Sequence, residues 1–487
     1  MTWRLGEAGL RDFGAAVALT SVPAEPADGA RRSVPYRTFA GRAAAVAEQL
    51  DAMGVRPGDP VALLSRSRGA DEAVAFAGIL LSGAAAVPLD AMAPAPRWQQ
   101  ILAAAGCRAI VHDEDARGAV REVARVGGEE LGRVELDGEG FVLAGIGNAA
   151  DVPNPHADRA DLACVLHTSG STGVPKAIPI GWGALDAFTA WMGPLMGLTE
   201  GRRVLRIAEL TFDLALFDHL ATWRYGATLG LGTRRSLATA KSVAAAVTGF
   251  TPHALYGVPA LFTMLVKGAA TAPSSLDRVA FAGEAYPPAA LAELAAWAPT
   301  ARLFNLYGPT ETNVCTFHEV TRTELDGHTP IPIGRPCPYA TCRLVDDEGA
   351  TIEGKGVGEL VVGGVTALDG EVATADRVAR DDDGLLHFRG RLDRMVKIGG
   401  RRVEPAEIEH ALLAEPGVEE AAVIASEHPR LGRRLLAFVA PSGCDGSSLR
   451  RALASQLPAY MVPDTVRGLA SLPRNARGKI DYAALLD

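Results

Sequence analysis

Lysine is the scarcest charged residue of this chain, because only six of its 48 basic residues are lysines. Three of the six stand in motif-like stretches, at Lys176, Lys397 and Lys479. An ammonium group is a compact point donor, and a guanidinium does not replace it at a tight site. In a chain that otherwise uses arginine, these three positions indicate a chemical requirement rather than solvation.

Cysteine and long apolar runs are also sparse. The six cysteines form no C-x-x-C pair, which argues against a metal site or a disulfide framework and favours a reducing, cytoplasmic compartment. The N-terminus lacks the apolar stretch of a signal peptide. The longest apolar run, residues 73–89, is interrupted by serine, glycine and proline, so we expect no membrane span. A net charge of −9 gives no basic footprint for nucleic acid.

The chain of 487 residues is long enough for two or more domains. Its N-terminal part alternates helical periodicity with short apolar runs. The spacing predicts helices over 39–54 and 71–81 and strands over 61–64 and 86–89. Alternation of this kind predicts an α/β protein with mainly parallel sheets.

A glycine- and hydroxyl-rich loop follows the apolar run 162–166, which predicts a buried strand. Its glycines allow a tight turn, and its N–H and hydroxyl groups suit phosphate oxygens. A Walker A loop is excluded because Pro175 precedes the lysine. An ordinary surface turn is the alternative. The candidate residues are Thr168, Ser169, Gly170, Ser171, Thr172, Gly173 and Lys176.

Three more predicted strands end at residues that are candidates for binding or catalysis. Asp213 follows an apolar segment and opens a helical pattern, so its default interpretation is a helix N-cap. Gly283 ends a second run, and residues 307–312 follow a third. Because ligands of parallel α/β sheets bind at the carboxyl ends of strands, we expect these residues around one crevice.

Four side chains suggest nucleotide chemistry, each with a simpler alternative. Glu311 suits Mg²⁺ but is also typical of an exposed turn. Tyr307 offers a flat face to a nucleobase, although core packing is as common. Asp376 suits a ribose diol, and a solvated loop aspartate is the alternative. Lys479 lies in a glycine-containing tail where an exposed lysine is usual.

Taken in order, these stretches resemble the adenylate-forming superfamily, specifically the stand-alone adenylation domains of nonribosomal peptide assembly lines. The resemblance runs nearly end to end through nine ordered motifs, at 80–90, 168–176, 212–213, 305–312, 358–363, 374–376, 390–404, 457–463 and 478–479. It implies a large N-terminal domain of mixed and parallel sheets with helices, residues 1–392. A small mobile C-terminal α+β domain, residues 393–487, would follow a hinge at Asp393.

The resemblance also implies roles. ATP and Mg²⁺ would be the cofactors, with the triphosphate on the 168–176 loop and Glu311 on the metal. Asn305 and Tyr307 would bind adenine and Asp376 the ribose. Lys479 would bridge the substrate carboxylate and the α-phosphate, while the Lys397 face would serve the second half-reaction. The catalytic residues would be Lys479, Glu311 and Thr168, and further nucleotide contacts would come from Gly308, Thr310 and Arg391.

The sequence departs from the family at three places. Ala177 and Ala375 stand where glycine is usual, and the span 364–374 is short. The substitution at Ala375 puts the local turn in question but not the role of Asp376. No carrier-protein sequence follows Lys479, so we expect a separate carrier protein, bearing phosphopantetheine, to act in trans.

The pocket positions implied by the resemblance begin with an acid, Asp213, which would pair with an α-ammonium group. The others are Leu214, Phe217, Tyr256, Ala280, Ala282, Gly283, Leu306, Val314 and Cys315. This set is similar to free-standing L-proline–carrier-protein ligases. It departs at Phe217, where leucine is expected, and at Ala280, where a larger aliphatic residue is expected. Proline is the first choice, and alanine, glycine or serine comes next, because one methylene discriminates weakly.

Two other classes compete with this interpretation. An acyl- or aryl-CoA ligase shares the nucleotide motifs but normally lacks an acid at the position of Asp213. A non-catalytic nucleotide-binding scaffold is a third class, and retention of Glu311, Asp376 and Lys479 argues against it.

Overall fold

The computed structural model describes residues 3–22, 32–107, 109–118, 120, 130–136, 139–145, 155–156, 158–159, 161–170, 174–269, 271–428, 432–474 and 480–485. The chain divides into two compact units. The first unit comprises Met1–Leu89, Ala105–Leu166 and Ile178–Leu392. The second comprises Asp90–Ala104, His167–Ala177 and Asp393–Asp487. The predicted division into 1–392 and 393–487 did not include the two short inner segments of the second unit, and it stays a prediction.

Helices and strands alternate over the first half of the chain. In order they are α1 (Glu7–Asp12), β1 (Val17–Val22), β2 (Ser33–Pro35), α2 (Tyr36–Ala52), β3 (Pro60–Leu64), α3 (Ala70–Leu81), β4 (Ala85–Pro88), α4 (Ala95–Ala105), β5 (Ala109–Asp113), β6 (Glu130–Leu136), β7 (Glu139–Gly145), β8 (Leu162–Thr168), β9 (Lys176–Gly181), α5 (Trp182–Leu195) and β10 (Arg203–Arg206).

The helix after β10 is interrupted by one wide turn. Residues Leu214–Leu216 (α6) and Thr222–Arg224 (α7) are α-helical, and Phe217–Ala221 between them forms a π-helical turn. The first unit continues with β11 (Thr228–Gly232), α8 (Ala240–Phe250), β12 (Ala254–Gly257), α9 (Pro259–Gly268), β13 (Arg278–Phe281), α10 (Pro288–Trp297), β14 (Arg302–Tyr307), β15 (Thr316–Val320), β16 (Arg335–Pro336), β17 (Ala340–Val345), β18 (Thr351–Ile352), β19 (Gly356–Gly364), β20 (Glu371–Arg380) and β21 (Leu386–Arg391).

The nine strands of the largest sheet in the described residues run in the order β16-β15-β14-β13-β12-β10-β11-β1-β2. The six strands from β14 to β1 pair in parallel, whereas β15, β16 and β2 pair antiparallel at the two edges. The apolar run that ends at Gly283 and the run that precedes residues 307–312 are thus neighbouring inner strands, β13 and β14. Their carboxyl ends lie at one edge of the sheet, which places the predicted crevice there.

A seven-stranded sheet takes up the N-terminal part, in the order β6-β7-β5-β3-β4-β8-β9 over the described strands. The four elements predicted between residues 39 and 89 correspond to α2, β3, α3 and β4, each within three residues at either end. Apolar side chains of α2 and α3 pack with those of β3 and β4 in one core, because both faces of a parallel sheet need cover.

The five-stranded sheet β18-β17-β19-β20-β21, counted over the described residues, is antiparallel throughout. Residues of β17, β19, β20 and β21 share a hydrophobic cluster with residues of β12, β13 and β14. The sheet therefore holds β20 and β21 against the strand ends where ligands of such folds bind.

The second unit contains β22 (Val396–Ile398), β23 (Arg401–Val403), α11 (Pro405–Leu413), β24 (Glu420–His428), β25 (Gly432–Ala440), α12 (Gly446–Ala454) and β26 (Thr465–Gly468). Strands β24, β25 and β26 form a mixed sheet, and α11 and α12 pack against it around residues such as Ile408, Val423 and Leu453. This is the α+β unit that the sequence predicts. Across the part of the chain that the structure describes, no helix combines the length and the hydropathy needed to cross a membrane.

Candidate active site

Eight predicted pocket residues pack into a single hydrophobic cluster of the first unit. They come from α6 and the π-helical turn, from β12, from β13 and the residue after it, and from β14 and the turn that follows it. They are Leu214, Phe217, Tyr256, Ala280, Ala282, Leu306, Val314 and Cys315. Each of these side chains is buried. The structure therefore brings together residues that lie as much as 101 positions apart in the chain.

The two aromatic members of the cluster meet edge to face. The rings of Phe217 and Tyr256 are 5.6 Å apart at an interplanar angle of 85°, the geometry that aromatic quadrupoles favour. Tyr256 stands opposite Ala280 in the pairing of β12 with β13, so the small residue lies beside the large one. Burial raises the pKa of Tyr256 well above its ordinary value, and the Asp213 carboxylate raises it further, so the hydroxyl stays neutral at physiological pH.

Asp213 is half-buried and immediately precedes α6. It occupies the N-cap position, but its backbone is helical and its side chain forms no capping hydrogen bond. The N-cap position predicted for Asp213 is therefore confirmed, although its side chain does not cap the helix. Asp213 directly precedes Leu214, which belongs to the hydrophobic cluster of pocket residues.

Tyr307 at the end of β14, Asp376 within β20 and Arg391 at the end of β21 form a hydrogen-bonded group. The Tyr307 hydroxyl and the Arg391 guanidinium each donate to the Asp376 carboxylate. Asp376 is only 5 % exposed and lies within β20, so the alternative of a solvated loop aspartate is wrong. Burial, and then Asp376, raise the pKa of Tyr307 well above its ordinary value, which keeps this phenol a donor.

The backbone beside Asp376 has an uncommon conformation. Ala375, which stands where the family has glycine, has a φ of 54° in the left-handed region. Its N–H donates to Glu359 (2.9 Å) and its carbonyl accepts from Leu392 N–H (2.8 Å). The turn expected of a glycine thus forms here with an alanine.

The turn after β14 is held by close backbone approach. A Cβ at Gly308 would lie 1.7 Å from the carbonyl oxygen of Asn313, so only glycine fits at this position. Asn305 lies within β14, three residues before Gly308. It is buried, and its side-chain amide donates to Pro332 O at 2.7 Å. Thr310 is half-buried in the same turn.

Glu311 is 6 % exposed, so the alternative of an exposed turn glutamate is wrong. Its backbone carbonyl accepts from Leu368 N–H at 2.8 Å. No cluster of three or more His, Cys, Asp or Glu side chains suited to a metal occurs in the described residues. A single buried carboxylate fits Mg²⁺ that takes its remaining ligands from phosphate oxygens and water, so Glu311 is the residue that would hold it.

The glycine-rich loop belongs to the second unit. The Thr168 hydroxyl oxygen is buried and has no hydrogen-bond partner among the described residues, which fits a ligand oxygen at this position. Ser169 is buried, and Lys176 is exposed at the start of β9. Ser171, Thr172, Gly173 and Lys479 lie outside the described residues.

The predicted site residues are therefore divided between the units. The acid-pocket residues, Gly283 after β13, Glu311 and the Tyr307 group belong to the first unit, and the described loop residues belong to the second. The predicted hinge residue Asp393 is the first residue of the C-terminal segment of the second unit. Its carboxylate accepts from Met395 N–H at 3.2 Å.

A buried charge cluster next to the pocket was not predicted. Arg206 and Glu72 form an ion pair with almost no exposure, and Arg68, also buried, donates to Ala208 O at 3.0 Å. Asp218 and His219 of the π-helical turn lie beside these arginines. One sequence feature could have predicted this cluster, a charged residue inside an otherwise apolar run, as at Arg206 between Leu205 and Ile207. An argument from hydrophobic periodicity does not use this feature.

Burial sets the charge states in this cluster. It raises the pKa of Asp218 to about 8, although Arg206 and Arg68 act in the opposite direction. It lowers the pKa of His219 well below its ordinary value, and Arg206 lowers it further. Near pH 7 both side chains are therefore mainly neutral, while Arg206 keeps Glu72 as its partner.

The large α/β unit with a smaller C-terminal unit is the fold of adenylate-forming enzymes. The chain belongs to the AMP-binding enzyme family: the family model matches residues 8–370, and the model for the AMP-binding enzyme C-terminal domain matches residues 407–479.

Two curated proteins are similar over most of their length. An L-proline–[L-prolyl-carrier protein] ligase of Streptomyces coelicolor is 36% identical, with 95% of this chain and 93% of the relative covered. A ligase of the same name from Pseudomonas fluorescens is 32% identical, with 90% of each covered. Among solved structures, the amide bond synthetase McbA from Marinactinospora thermotolerans is similar in fold, with a TM-score of 0.81, 22% identity and 98% of each chain covered.

Proposed function

We propose that this enzyme activates a small neutral α-amino acid, with L-proline as the first candidate, and transfers it to the phosphopantetheine thiol of a separate carrier protein. The observation that carries the proposal is the apolar cluster of pocket residues beside the half-buried Asp213. A carboxylate next to an apolar wall suits an amino acid that has an α-ammonium group and an uncharged side chain.

In the first half-reaction, a carboxylate oxygen of the amino acid attacks the α-phosphorus of ATP. A P–O bond to the carboxyl group forms as the P–O bond to pyrophosphate breaks. Both reactants are anionic, so positioning and charge neutralisation dominate the catalysis. Bound Mg²⁺ supplies part of that neutralisation. Glu311 would hold the metal, the Tyr307–Asp376–Arg391 group would orient the nucleoside, and Lys479 would contact the reacting oxygens.

In the second half-reaction, the thiol sulfur of phosphopantetheine attacks the activated carboxyl carbon. A C–S bond forms and AMP leaves. The names of the two ligases from Streptomyces coelicolor and Pseudomonas fluorescens support proline and a carrier protein. The edge-to-face contact of Phe217 with Tyr256 limits the depth of the pocket, which favours a compact side chain.

The test is amino-acid-dependent exchange of pyrophosphate into ATP, measured with L-proline, D-proline, L-alanine, glycine, L-serine, L-valine and aryl acids. We expect the strongest exchange with L-proline. Stronger exchange with alanine or serine would keep the reaction and replace the substrate. Turnover of an acid without an amine would contradict the role of Asp213. Thioester formation between coenzyme A and an aryl acid would favour an acyl- or aryl-CoA ligase.

Variants of the pocket sharpen the test. D213N keeps the shape and removes the charge, so we expect KM for the amino acid to rise about tenfold or more while KM for ATP stays within twofold, since a charge-assisted contact contributes roughly 1.5–3 kcal/mol. F217L is the matched change in pocket shape without a change in charge. It should alter the ranking of amino acids but leave the requirement for an α-amine.

A further inference from the structure

Two of the proposed pocket residues, Val314 and Cys315, lie in the turn between β14 and β15. Asn313, which precedes them, has a φ of 52° in the left-handed region. Its side-chain carbonyl accepts from Val314 N–H at 2.6 Å, and Cys315 N–H donates to Tyr307 O at 2.8 Å. These bonds use the N–H groups of the two pocket residues, so the position of the turn also depends on what their carbonyl oxygens accept.

A second segment, residues 337–339 between β16 and β17, supplies a donor to each of these carbonyl groups. The Tyr339 hydroxyl donates to Val314 O at 2.8 Å, and Cys337 N–H donates to Cys315 O at 2.8 Å. Cys337 is buried in the same hydrophobic cluster as the two pocket residues. The 337–339 segment therefore holds the turn, although none of its residues is among the positions that the sequence predicts for the pocket.

Tyr339 is held in place by contacts other than its bond to Val314. Its ring lies 5.8 Å from the ring of Trp191 in α5 at an interplanar angle of 79°, and Trp191 in turn contacts Phe317 at 5.2 Å and 65°. Both contacts are of the edge-to-face kind that aromatic rings favour. The Tyr339 carbonyl also accepts from Val365 N–H at 3.2 Å. Ring and backbone are thus anchored, and the hydroxyl presents a fixed donor to the turn.

The surroundings make this hydrogen bond hard to replace. Burial raises the pKa of Tyr339 well above its ordinary value, so the phenol keeps its proton and remains a donor at neutral pH. Val314 is buried, and its carbonyl therefore has little access to water that could take the place of a lost donor. Without the hydroxyl, the turn has to shift or leave a buried carbonyl without this partner.

We propose that Tyr339 is a positioning residue for amino-acid selection, because its hydroxyl fixes the turn that carries Val314 and Cys315. The inference depends on the proposed function, in which these two residues form part of the wall around the substrate side chain. A wall held in one place admits a compact side chain and excludes a bulkier one, whereas a wall that can shift discriminates less. Tyr339 acts on the substrate through the two pocket residues.

The primary test compares wild type with Y339F in pyrophosphate exchange. Phenylalanine keeps the ring that packs on Trp191 and removes the donor to Val314. We expect KM for the preferred amino acid to rise about three- to tenfold, as for the loss of one neutral hydrogen bond, while KM for ATP and kcat change less than about twofold. The preference for this amino acid over the bulkier L-leucine, taken as the ratio of their kcat/KM values, should fall by a similar factor.

Two further variants control for structural effects. Y225F removes a hydroxyl of the same unit that donates to Ala190 O at 3.3 Å, and it should match wild type. W191L removes the ring that holds Tyr339 and leaves the hydroxyl, so it should lower the preference in the same direction. It also keeps the proposal testable if Y339F does not fold.

A double-mutant cycle connects the two contacts. If Trp191 acts through the Tyr339 hydroxyl, W191L should change the preference much less in the Y339F background than in wild type, because both substitutions then weaken one hydrogen bond. Fully additive changes would overturn the proposal.

The two proposals fail separately. Wild type that activates an amino acid, together with a Y339F variant of unchanged KM and preference, overturns the positioning role and leaves the proposed function. A Y339F variant that raises KM for ATP as much as KM for the amino acid also overturns the positioning role, because a general loss of structure gives that result. Wild type that activates no amino acid overturns the proposed function and, with it, this inference.

Amide hydrogen exchange tests the same contact without turnover. We expect the amides of Val314, Cys315 and Cys337 to exchange faster in Y339F than in wild type and in Y225F, because the turn has lost one of its fixed donors. The amides of β13 are the internal reference and should exchange at the same rate in all three proteins. Equal protection of the turn in Y339F and wild type overturns the proposal.

Discussion

The Tyr307 hydroxyl donates to the Asp376 carboxylate, and Arg391 donates to the other oxygen of the same group. The contact joins the end of β14 to β20, two strands of different sheets. One buried carboxylate thereby receives a neutral and a charged donor, which orients it more firmly than either alone. The proposed ribose contact therefore depends on a residue that the sequence suggested for a different task, stacking on the base.

We expect Y307F to raise KM for ATP about threefold and D376N to raise it about tenfold or more, because the first change removes one donor and the second the charge. Steady-state exchange at saturating amino acid measures both. The control is Y225F, which removes a hydroxyl that donates to Ala190 O at 3.3 Å. Equal KM values for ATP in D376N and wild type would contradict the role of Asp376.

A glycine at position 375 should stabilise the protein. An L-residue in the left-handed region costs roughly 1–2 kcal/mol, and the added entropy of a glycine in the unfolded chain returns roughly 0.5–1 kcal/mol of this. We expect A375G to raise the free energy of unfolding by about 0.5–1 kcal/mol in urea denaturation. A379G in the same strand, where φ is not positive, should lower it by a similar amount. A lower free energy of unfolding in A375G would contradict the claim that the backbone at Ala375 is strained.

Removal of the acid from the buried ion pair should be far more harmful than the same change at the surface. E72Q leaves the fully buried Arg206 without a charged partner, and we expect a loss of about 3–5 kcal/mol in the free energy of unfolding. E7Q breaks the exposed pair of Glu7 with Arg11 in α1 and should cost less than about 1 kcal/mol. Chemical denaturation measures the free energy of unfolding of both variants. Similar losses in E72Q and E7Q would contradict the claim that burial makes the Arg206–Glu72 pair more important.

Asp218 should make stability depend on pH. Its pKa is about 8 in the folded chain because burial disfavours the charged form, whereas the unfolded value is near 4. Between these values the folded state holds a proton that the unfolded state has lost. The contribution of Asp218 to the free energy of unfolding is therefore fully present below about pH 4. It falls as pH rises towards 8, by at most about 1.4 kcal/mol per pH unit.

D218N removes that dependence. The difference in unfolding free energy, variant minus wild type, should increase from pH 5 to pH 8. His219, Arg206, Arg68 and Glu72 surround the group in both proteins, so their own titration largely cancels in the difference. Parallel stability curves for the two proteins would show that Asp218 does not titrate in this range.

Local pattern predicted the elements better than it predicted their partners. The strand β14 was recognisable because its apolar run stops at Gly308-Pro309, and α2 because its apolar residues recur at helical spacing. The antiparallel edge strands β15 and β16, and the contact of Tyr307 with Asp376, depend on residues brought together by the tertiary fold. No periodicity carries that information.

The candidate site shows the same division. The acid-pocket positions came from a resemblance and not from spacing, and the fold collects eight of them in one cluster. The ion pair of Arg206 with Glu72 could not be predicted, since charges 134 residues apart meet only after α3 and β10 have packed. The same holds for the wide turn at 217–221, which has no signature in residue type.

That wide turn ties substrate choice to chain stability. Phe217 belongs to the acid pocket, and its neighbour Asp218 belongs to the charge cluster of Arg206. A short segment transplanted from a relative to retarget the enzyme would exchange both at once, and the incoming residue at 218 would face an arginine and a glutamate left behind in the host. Retargeting by segment exchange therefore has to move positions 72, 206 and 218 as a set, whereas single replacements at 217 leave the host framework intact.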